Sequence, residues 1–360
     1  MMINLQENIS TYLSQISDPK LRLSLTEMGF KFNIDLQKEH CLIELSAGFP
    51  IMHREPALQM LLHDHLKNQF PSLQFKIKFT QCIRAHRTQL AGKGLRGVKN
   101  TLAIASGKGG VGKSTVAVNL AIALARAGGR VGILDADIYG PSIPMMLGQG
   151  EPVTIQNERY LPTRVHGIQA MSIAYLTDPE EALIWRGPML AKSLLHMLDL
   201  TLWDDLDYLL IDLPPGTGDI QLSLFQKIPL TTAVIVTTPQ HIATLDAQKA
   251  IKMCIKTGVD VLGLLENMAT HLCNNCGHEE TIFGEGGATR LCSEFQIPLL
   301  GQLPLHSRIR LHADEGQPIA NLTQDEVAMP WIDAAMKAAM LLAKKPINYA
   351  DKFPPIVDIS

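Results

Sequence analysis

The segment Gly107-Lys108-Gly109-Gly110-Val111-Gly112-Lys113-Ser114 limits what this chain can fold into more than any other. It fits G-x-x-x-x-G-K-[ST]. The apolar run TLAIAS before it reads as a buried strand, and the alanine-rich stretch from Ser114 to Ala127 reads as a helix. Strand, glycine loop and helix together are the context the motif requires. The glycines let the backbone curl so that its N–H groups point at phosphate oxygens. The helix starting near Lys113 adds the positive end of its dipole. Lys113 is placed to neutralise β- and γ-phosphates and Ser114 to coordinate Mg²⁺. Gly107 through Thr115 are therefore the expected nucleotide-binding residues, with ATP as the ligand.

The rest of the chain fits around this loop. From Asn100, near-continuous apolar strands alternate with helical stretches: TLAIAS, RVGILDAD, Ile168 to Ala174, YLLIDL, TTAVIVTT, VDVLGLLENM and PLLGQL. Strands of that texture belong to a parallel sheet covered on both faces. The expected fold class is α/β, a doubly wound, mostly parallel P-loop NTPase sheet, with a small N-terminal α+β domain. Residues 1–85 form the small domain. Within it, residues 5 to 29 read as a helix, Lys31 to Ala47 as two strands around a polar turn, Pro56 to Phe70 as a helix and Leu73 to Cys82 as a strand. Residues 86–99 carry four Lys or Arg residues and no acid. They read as a basic linker, with a docking patch as a side hypothesis. Residues 100–345 form the ATPase domain, closed by a helix from Pro330 to Lys345. Residues 346–360 form an irregular tail.

With 32 Lys plus Arg against 35 Asp plus Glu, the net charge is −3, so there is no global attraction to nucleic acid or an anionic membrane. No secretory signal or transmembrane run is evident, and a cytoplasmic location is expected. Six cysteines in 360 residues are too sparse for a disulfide scaffold, so paired cysteines read first as metal ligands or redox groups.

Three carboxylates fall at strand ends. Asp135 and Asp137 close the second strand of the ATPase domain in LDADIYGPS, and Asp212 ends the fourth in YLLIDLPPGTGD. The C-terminal ends of adjacent parallel strands face one crevice. Asp212 follows an apolar run, as a Walker B acid does, and is expected to hold Mg²⁺ through water. Asn267 in LLENMA is a candidate for reading the adenine amino edge. Cys273-Asn274-Asn275-Cys276 lies in a polar loop just beyond. Two thiolates do not complete a four-coordinate site. Flanking His271 and His278 would finish a zinc site, and a homodimer would instead gather four thiolates for Zn²⁺ or an Fe–S cluster. Chemistry alone leaves those options open. Cys41, Cys82, Cys254 and Cys292 read as core thiols. Met145 and Met146 read as core packing. Trp185-Arg186-Gly187-Pro188-Met189 leads into a helix, with Arg186 either at an interface or on the surface.

The second lysine of the loop, Lys108, resembles that of the deviant Walker A group, which includes the nitrogenase iron protein and the partition and division ATPases. The resemblance implies that Lys108 reaches across a homodimer to the partner's nucleotide. It also implies that Asp137 is the switch I residue handling the attacking water. Asp135 becomes an outer partner of the Mg²⁺. Pro215 and Gly216 fall in switch II, where the Gly216 N–H senses the γ-phosphate. Lys108, Lys113 and Asp137 are then the catalytic set. SGKGGVGKST, DADIYGPS, WRGPM, LDYLLIDLPPGTGD, ENMA and CNNCGHEETIFGEGG together resemble the Mrp/ApbC family of iron–sulfur cluster carrier ATPases, from about Gly97 to Pro318. That implies a [4Fe–4S] cluster bridged between protomers by Cys273 and Cys276, passed to apo iron–sulfur proteins and received from scaffold proteins. ISDPKLRLSLTEMGF resembles the small iron–sulfur assembly domain, although no cysteine stands in LSAGFPIMHREP. No stable membrane association and no nucleic acid partner are expected. The alternatives are a partition or division-site positioning ATPase, for which the tail YADKFPPIVDIS lacks a basic amphipathic helix, and a zinc-stapled ATPase without carrier activity.

Overall fold

The structure is a computed structural model. It describes residues 2–349 apart from Tyr139, Gln149, 177–186 and Asn274, with the side chains of 2–4 and 187–190 also outside the description. Trp185, Arg186 and the residues of the tail from 350 onward therefore lie outside the described residues, and so do the side chains of Gly187, Pro188 and Met189.

The N-terminal unit begins with α1 (Met2–Gln15) and a small hairpin, β1 (Ser17–Asp18) with β2 (Leu23–Ser24). It continues through α2 (Leu25–Met28), β3 (Lys31–Gln37), β4 (His40–Ala47), α3 (Glu55–Gln69) and β5 (Gln74–Gln81). β3 pairs antiparallel with β4, and β4 pairs parallel with β5 across α3. The expected helix from 5 to 29 is thus two helices with a hairpin between them. The first ends at Gln15, and Asp18 forms the hairpin turn by accepting the backbone N–H groups of Lys20 and Leu21, at 2.9 Å each. Ser24 then starts α2 with a reciprocal capping box to Glu27.

The larger sheet uses β6 (Thr101–Ala105), β7 (Val131–Asp135), β10 (Thr163–Val165), β11 (Ile168–Ser172), β12 (Tyr208–Asp212), β13 (Thr232–Thr237), β14 (Val261–Leu272), β15 (Glu279–Glu280) and β16 (Leu299–Leu305). A separate hairpin, β8 (Thr154–Gln156) with β9 (Arg159–Leu161), was not legible in the sequence. The strand order is β10-β11-β7-β12-β6-β13-β14, with β15 and β16 both on β14. Every pairing is parallel except those of β10 and β15. This is the doubly wound sheet of the α/β class.

The helices are α4 (Lys113–Arg126), α5 (Ile143–Leu147), α6 (Gly187–Leu200), α7 (Asp219–Lys227), α8 (His241–Thr257), α9 (Gly287–Phe295), α10 (Ser307–Asp314) and α11 (Met329–Ala343). Alternate residues of each central strand feed opposite faces. Leu102 and Ile104 pack with α4 and α11, while Ala103 and Ala105 pack with α6, α7 and α8. Both faces are covered, so these strands are apolar throughout rather than alternating.

Residues 86–99 do not hang free. His86 is buried against Asn100, Gln89 bonds the carbonyls of Phe225 and Ile228, and Val98 bridges to Leu206. Two expectations about burial fail. Cys82 is exposed because it lies just past the end of β5, and Met145 is exposed while Met146 alone packs inward. Cys41 and Cys254 are buried, and Cys292 is half-buried.

Candidate functional site

A cavity of about 440 Å³ opens at the C-terminal ends of the parallel strands. Its floor is the phosphate loop, with Ser106, Lys108, Gly109, Gly110, Gly112, Lys113, Ser114 and Thr115 lining it. Asp137, Pro215 and Asn267 lie around the same space. Gly110 and Gly112 adopt left-handed backbone, at φ 81° and 79°, and Gly112 immediately precedes α4. That curl leaves the first N–H groups of α4 without intrahelical partners and turned toward the cavity, the arrangement that receives phosphate.

The electrostatic centre is Lys113. Its ammonium donates to Asp212 Oδ1 at 2.6 Å and stands 4.0 Å from Asp137 Oδ2 and 3.5 Å from Ser114 Oγ. The Lys113 and Asp212 side chains are 5% and 0% exposed, so the ion pair is sealed from water. Burial pushes the Asp212 carboxyl upward, opposed by the Lys113 ammonium and the Ser114 hydroxyl. The second oxygen, Asp212 Oδ2, is buried and finds no hydrogen-bond partner among the described residues. An unsatisfied carboxylate oxygen beside a serine hydroxyl fits a Mg²⁺ ion with its water shell.

Asp135 pairs in register with Asp212 across β7 and β12. Its carboxylate accepts the N–H of Asp137 at 3.2 Å and of Ile143 at 3.3 Å, and the Ser172 hydroxyl at 3.2 Å. Burial, then the neighbouring Asp212, pushes it up to about 7. Its visible work is to hold the loop that presents Asp137 to the cavity. Burial also raises Asp137, against the pull of Lys113.

Asn267 sits closer to the loop than base recognition alone would ask. Its Nδ2 donates to the Val111 carbonyl at 2.9 Å, and a Cβ at Gly112 would collide with that amide. Only glycine fits there, on grounds of both φ and space. Gly216 takes φ 105°, and its N–H donates to the Ser106 carbonyl at 3.0 Å. A γ-phosphate contact would require that bond to open. Lys108 is half-buried on the rim and makes no ion pair among the described residues.

One wall was missed by sequence reasoning. Pro304 and Leu305 end β16, His306, Ile309, Arg310 and Asp314 follow it, and Trp331 lies in the first turn of α11. The available signal was position: the β16 residues lie at the C-terminal end of a parallel strand, where ligands bind.

The cysteine pair lies farther along β14. That strand runs past Asn267 and turns back into β15, with His271 opposite Glu280 and Leu272 opposite Glu279. Cys273 is half-buried and Cys276 exposed at the tip. The N–H of Gly277 donates to the Cys273 carbonyl at 2.9 Å, and the Cys273 N–H to the His278 carbonyl at 2.9 Å. Hydrogen bonds from the amides of Cys276 and Asn275 hold the Cys273 thiol below its ordinary value. That favours the thiolate, the ligating form. His271 is bonded to Glu280 at 3.2 Å. Among the described residues no group of three or more His, Cys, Asp or Glu side chains is placed to hold a metal.

These features can be set against known proteins. The model for the ParA group described as NUBPL iron-transfer P-loop NTPase matches residues 97–340. The chain belongs to that family. The iron-sulfur cluster carrier protein of Haemophilus influenzae is 43% identical over 337 residues, covering 93% of this chain and 91% of that protein. The iron-sulfur cluster carrier protein of Salmonella typhimurium is 56% identical over 322 residues, covering 87% and 86%. Among solved structures, a nucleotide-binding protein from Archaeoglobus fulgidus in complex with ADP is 41% identical with a TM-score of 0.55. That match covers 61% of this chain and 88% of the other. The P-loop NTPase fold and ATPase activity follow from membership of the NUBPL iron-transfer family. Among the described residues no helix is long and apolar enough to cross a membrane.

Proposed function

We propose that this chain is an ATP-hydrolysing carrier of [4Fe–4S] clusters, which it holds between two copies of itself and passes to apo iron–sulfur proteins. One observation carries the reading: β14 holds Asn267 against the phosphate loop and leads, at its far end, to half-buried Cys273 and exposed Cys276. A single strand thus joins the nucleotide cavity to the cargo ligands. Relatives named as iron-sulfur cluster carriers support it, and so does the amide-assisted Cys273 thiol. Two thiolates per protomer need a second copy to complete a four-ligand site. Cluster scaffold proteins would load the carrier, and it would work in the cytoplasm, where thiols stay reduced.

Hydrolysis is in-line attack of water on the γ-phosphate. Asp137 orients and deprotonates the water. Lys113, and Lys108 of the facing copy, offset charge on the transferring group. Ser114 and Asp212 would hold Mg²⁺, with Asp135 behind them, and the ion would supply positive charge to the site. Nucleotide state would shift the pair between cluster-holding and cluster-releasing arrangements.

The test is anaerobic reconstitution of wild type and Cys273→Ala with iron and sulfide, read by visible absorption and by transfer to an apo-acceptor. Wild type should load about one cluster per two chains, and Cys273→Ala should load almost none. Equal loading would remove the ligand assignment. Tight zinc that iron and sulfide cannot displace would replace the carrier with a zinc-stapled dimer.

A further inference from the structure

A second cavity, of about 430 Å³, lies away from the nucleotide. Its wall includes the residues before β12, whereas Asp212 is at the other end of that strand, against Lys113 of the phosphate loop. It is lined by Arg96 from the 86–99 segment, Arg159 from β9, and Thr201 and Trp203 after α6, with Asp199 on the exposed rim. Among the described residues neither arginine makes an ion pair.

The site is built rather than incidental. Gly97 has φ +75°, and a Cβ there would collide with the Trp203 carbonyl. The Gly97 carbonyl in turn accepts the N–H of Leu206 at 2.6 Å. This close approach fixes the turn that carries Arg96 against the loop that carries Trp203. Trp203 is 6% exposed, and its indole Nε1 is buried with no hydrogen-bond partner among the described residues. The ring edge at Cζ3 packs over Gly132 of β7. The Thr201 hydroxyl is already committed to the Met197 carbonyl at 2.6 Å. The groups the cavity offers are therefore two guanidinium forks, with the Asp199 carboxylate on the rim.

We propose that this cavity binds a small oxyanion-bearing ligand, a phosphate ester or a polycarboxylate, held by Arg96 and Arg159, with Trp203 in its wall as a reporter. Guanidinium pairs recognise such planar or tetrahedral oxygen sets by bidentate, charge-assisted bonds. The cavity volume suits a metabolite-sized molecule rather than a polymer.

The experiment uses the full chain saturated with MgADP, which keeps added anions out of the phosphate loop. The three tryptophans give three indole N–H signals by NMR, and Trp203→Phe identifies the one that matters. Inorganic phosphate and citrate are titrated separately, each against sodium chloride of matched ionic strength. The expected result is a saturable shift of the Trp203 signal with at least one anion. Arg96→Gln and Arg159→Gln should each weaken it by about tenfold, the loss of one charge-assisted contact. Whichever anion saturates first names the ligand chemistry. No saturable shift beyond that of chloride, or an unchanged midpoint in both arginine variants, overturns the proposal.

Discussion

The buried pair of Lys113 and Asp212 makes a prediction that runs against the usual expectation for a P-loop mutant. Asp212 Oδ1 holds the Lys113 ammonium at 2.6 Å, so nucleotide phosphates must take the lysine away from a carboxylate before they can use it. Asp212→Asn removes that competitor. In the nucleotide-free chain it strands a buried ammonium, a loss of about 3–5 kcal/mol for one partner of a buried pair. The lower end applies, because Asp137 stays 4.0 Å away, Ser114 Oγ 3.5 Å away, and the new amide still offers an oxygen. With an unfolding entropy of about 2.1 cal/mol/K per residue over 360 residues, about 3 kcal/mol lowers the melting midpoint by roughly 4 °C. Phosphate then restores what was lost. Mg²⁺-free ADP should bind the variant up to about 100-fold more tightly than wild type, the same 3 kcal/mol read as affinity. Added Mg²⁺ should improve binding to wild type and do little for the variant, and ATP turnover should fall to background. Calorimetry of ADP binding in EDTA, paired with thermal unfolding with and without ADP, reads all of these. Mg²⁺-free ADP binding no tighter in Asp212→Asn than in wild type would refute the competition.

Three further outcomes follow from particular contacts. Asn267→Ala frees the Val111 carbonyl and loosens the loop, and should weaken ADP binding by about tenfold without unfolding the chain, as calorimetry would show. Gly97→Ala meets both a left-handed backbone and the Trp203 carbonyl, and should cost about 2 kcal/mol or more in urea unfolding while leaving ATP turnover per folded molecule intact. His53 is held neutral by burial, with Arg54 and Lys20 adding to the effect, and is pulled down from its ordinary 6.5 to about 4. Its contribution is whole above pH 6.5 and is lost as the pH falls toward 4, since the unfolded chain takes up the proton first. Urea midpoints should therefore drop more between pH 7 and pH 4.5 in wild type than in His53→Phe; equal drops would assign the acid sensitivity elsewhere.

The phosphate loop and the doubly wound sheet were legible because their signals are local. Gly107 to Ser114 is contiguous, and strands buried on both faces, such as Tyr208–Asp212, are apolar at every position. What escaped was non-local or broken by a single residue. The apolar spacing before Pro19 and after Lys20 joins smoothly in the sequence, yet Asp18 turns the backbone there and is itself pinned by Arg54, at 2.8 Å. The Lys113–Asp212 pair spans 99 residues, and the Asn267 bond to Val111 spans 156, so no window of sequence contains either. Asn267 was found by its position at a strand end, but its grip on the loop needed the fold. The basic character of residues 86–99 was plain, whereas their docking against the ATPase domain depended on partners at Asn100, Leu206 and Phe225 that come later in the chain.

The N-terminal unit bears on the nucleotide site through the two helices that frame it. α4 leaves the phosphate loop and ends near Ala127, where its last carbonyls need donors. The N–H of Met52 supplies one to Ala127 at 2.8 Å, and Gln81 Nε2 supplies another to Gly128 at 2.9 Å. α11 starts at the cavity wall with Trp331, and Asp333 on the same helix accepts Arg54 Nη1 at 3.2 Å. Arg54 also holds Asp18, with side chains only 8% and 5% exposed. Removing one partner of a buried pair of that kind strands the other charge and is strongly destabilising. Ile9, Leu13, Leu58 and Leu62 continue the same apolar cluster as Val116, Leu120 and Trp331. Any shift of α4 on nucleotide binding must therefore carry the N-terminal unit with it or break its donors to Ala127 and Gly128. The texture change near residue 86 marks a change of fold pattern, and the packing across it ties the N-terminal unit to the helix on which the phosphates sit.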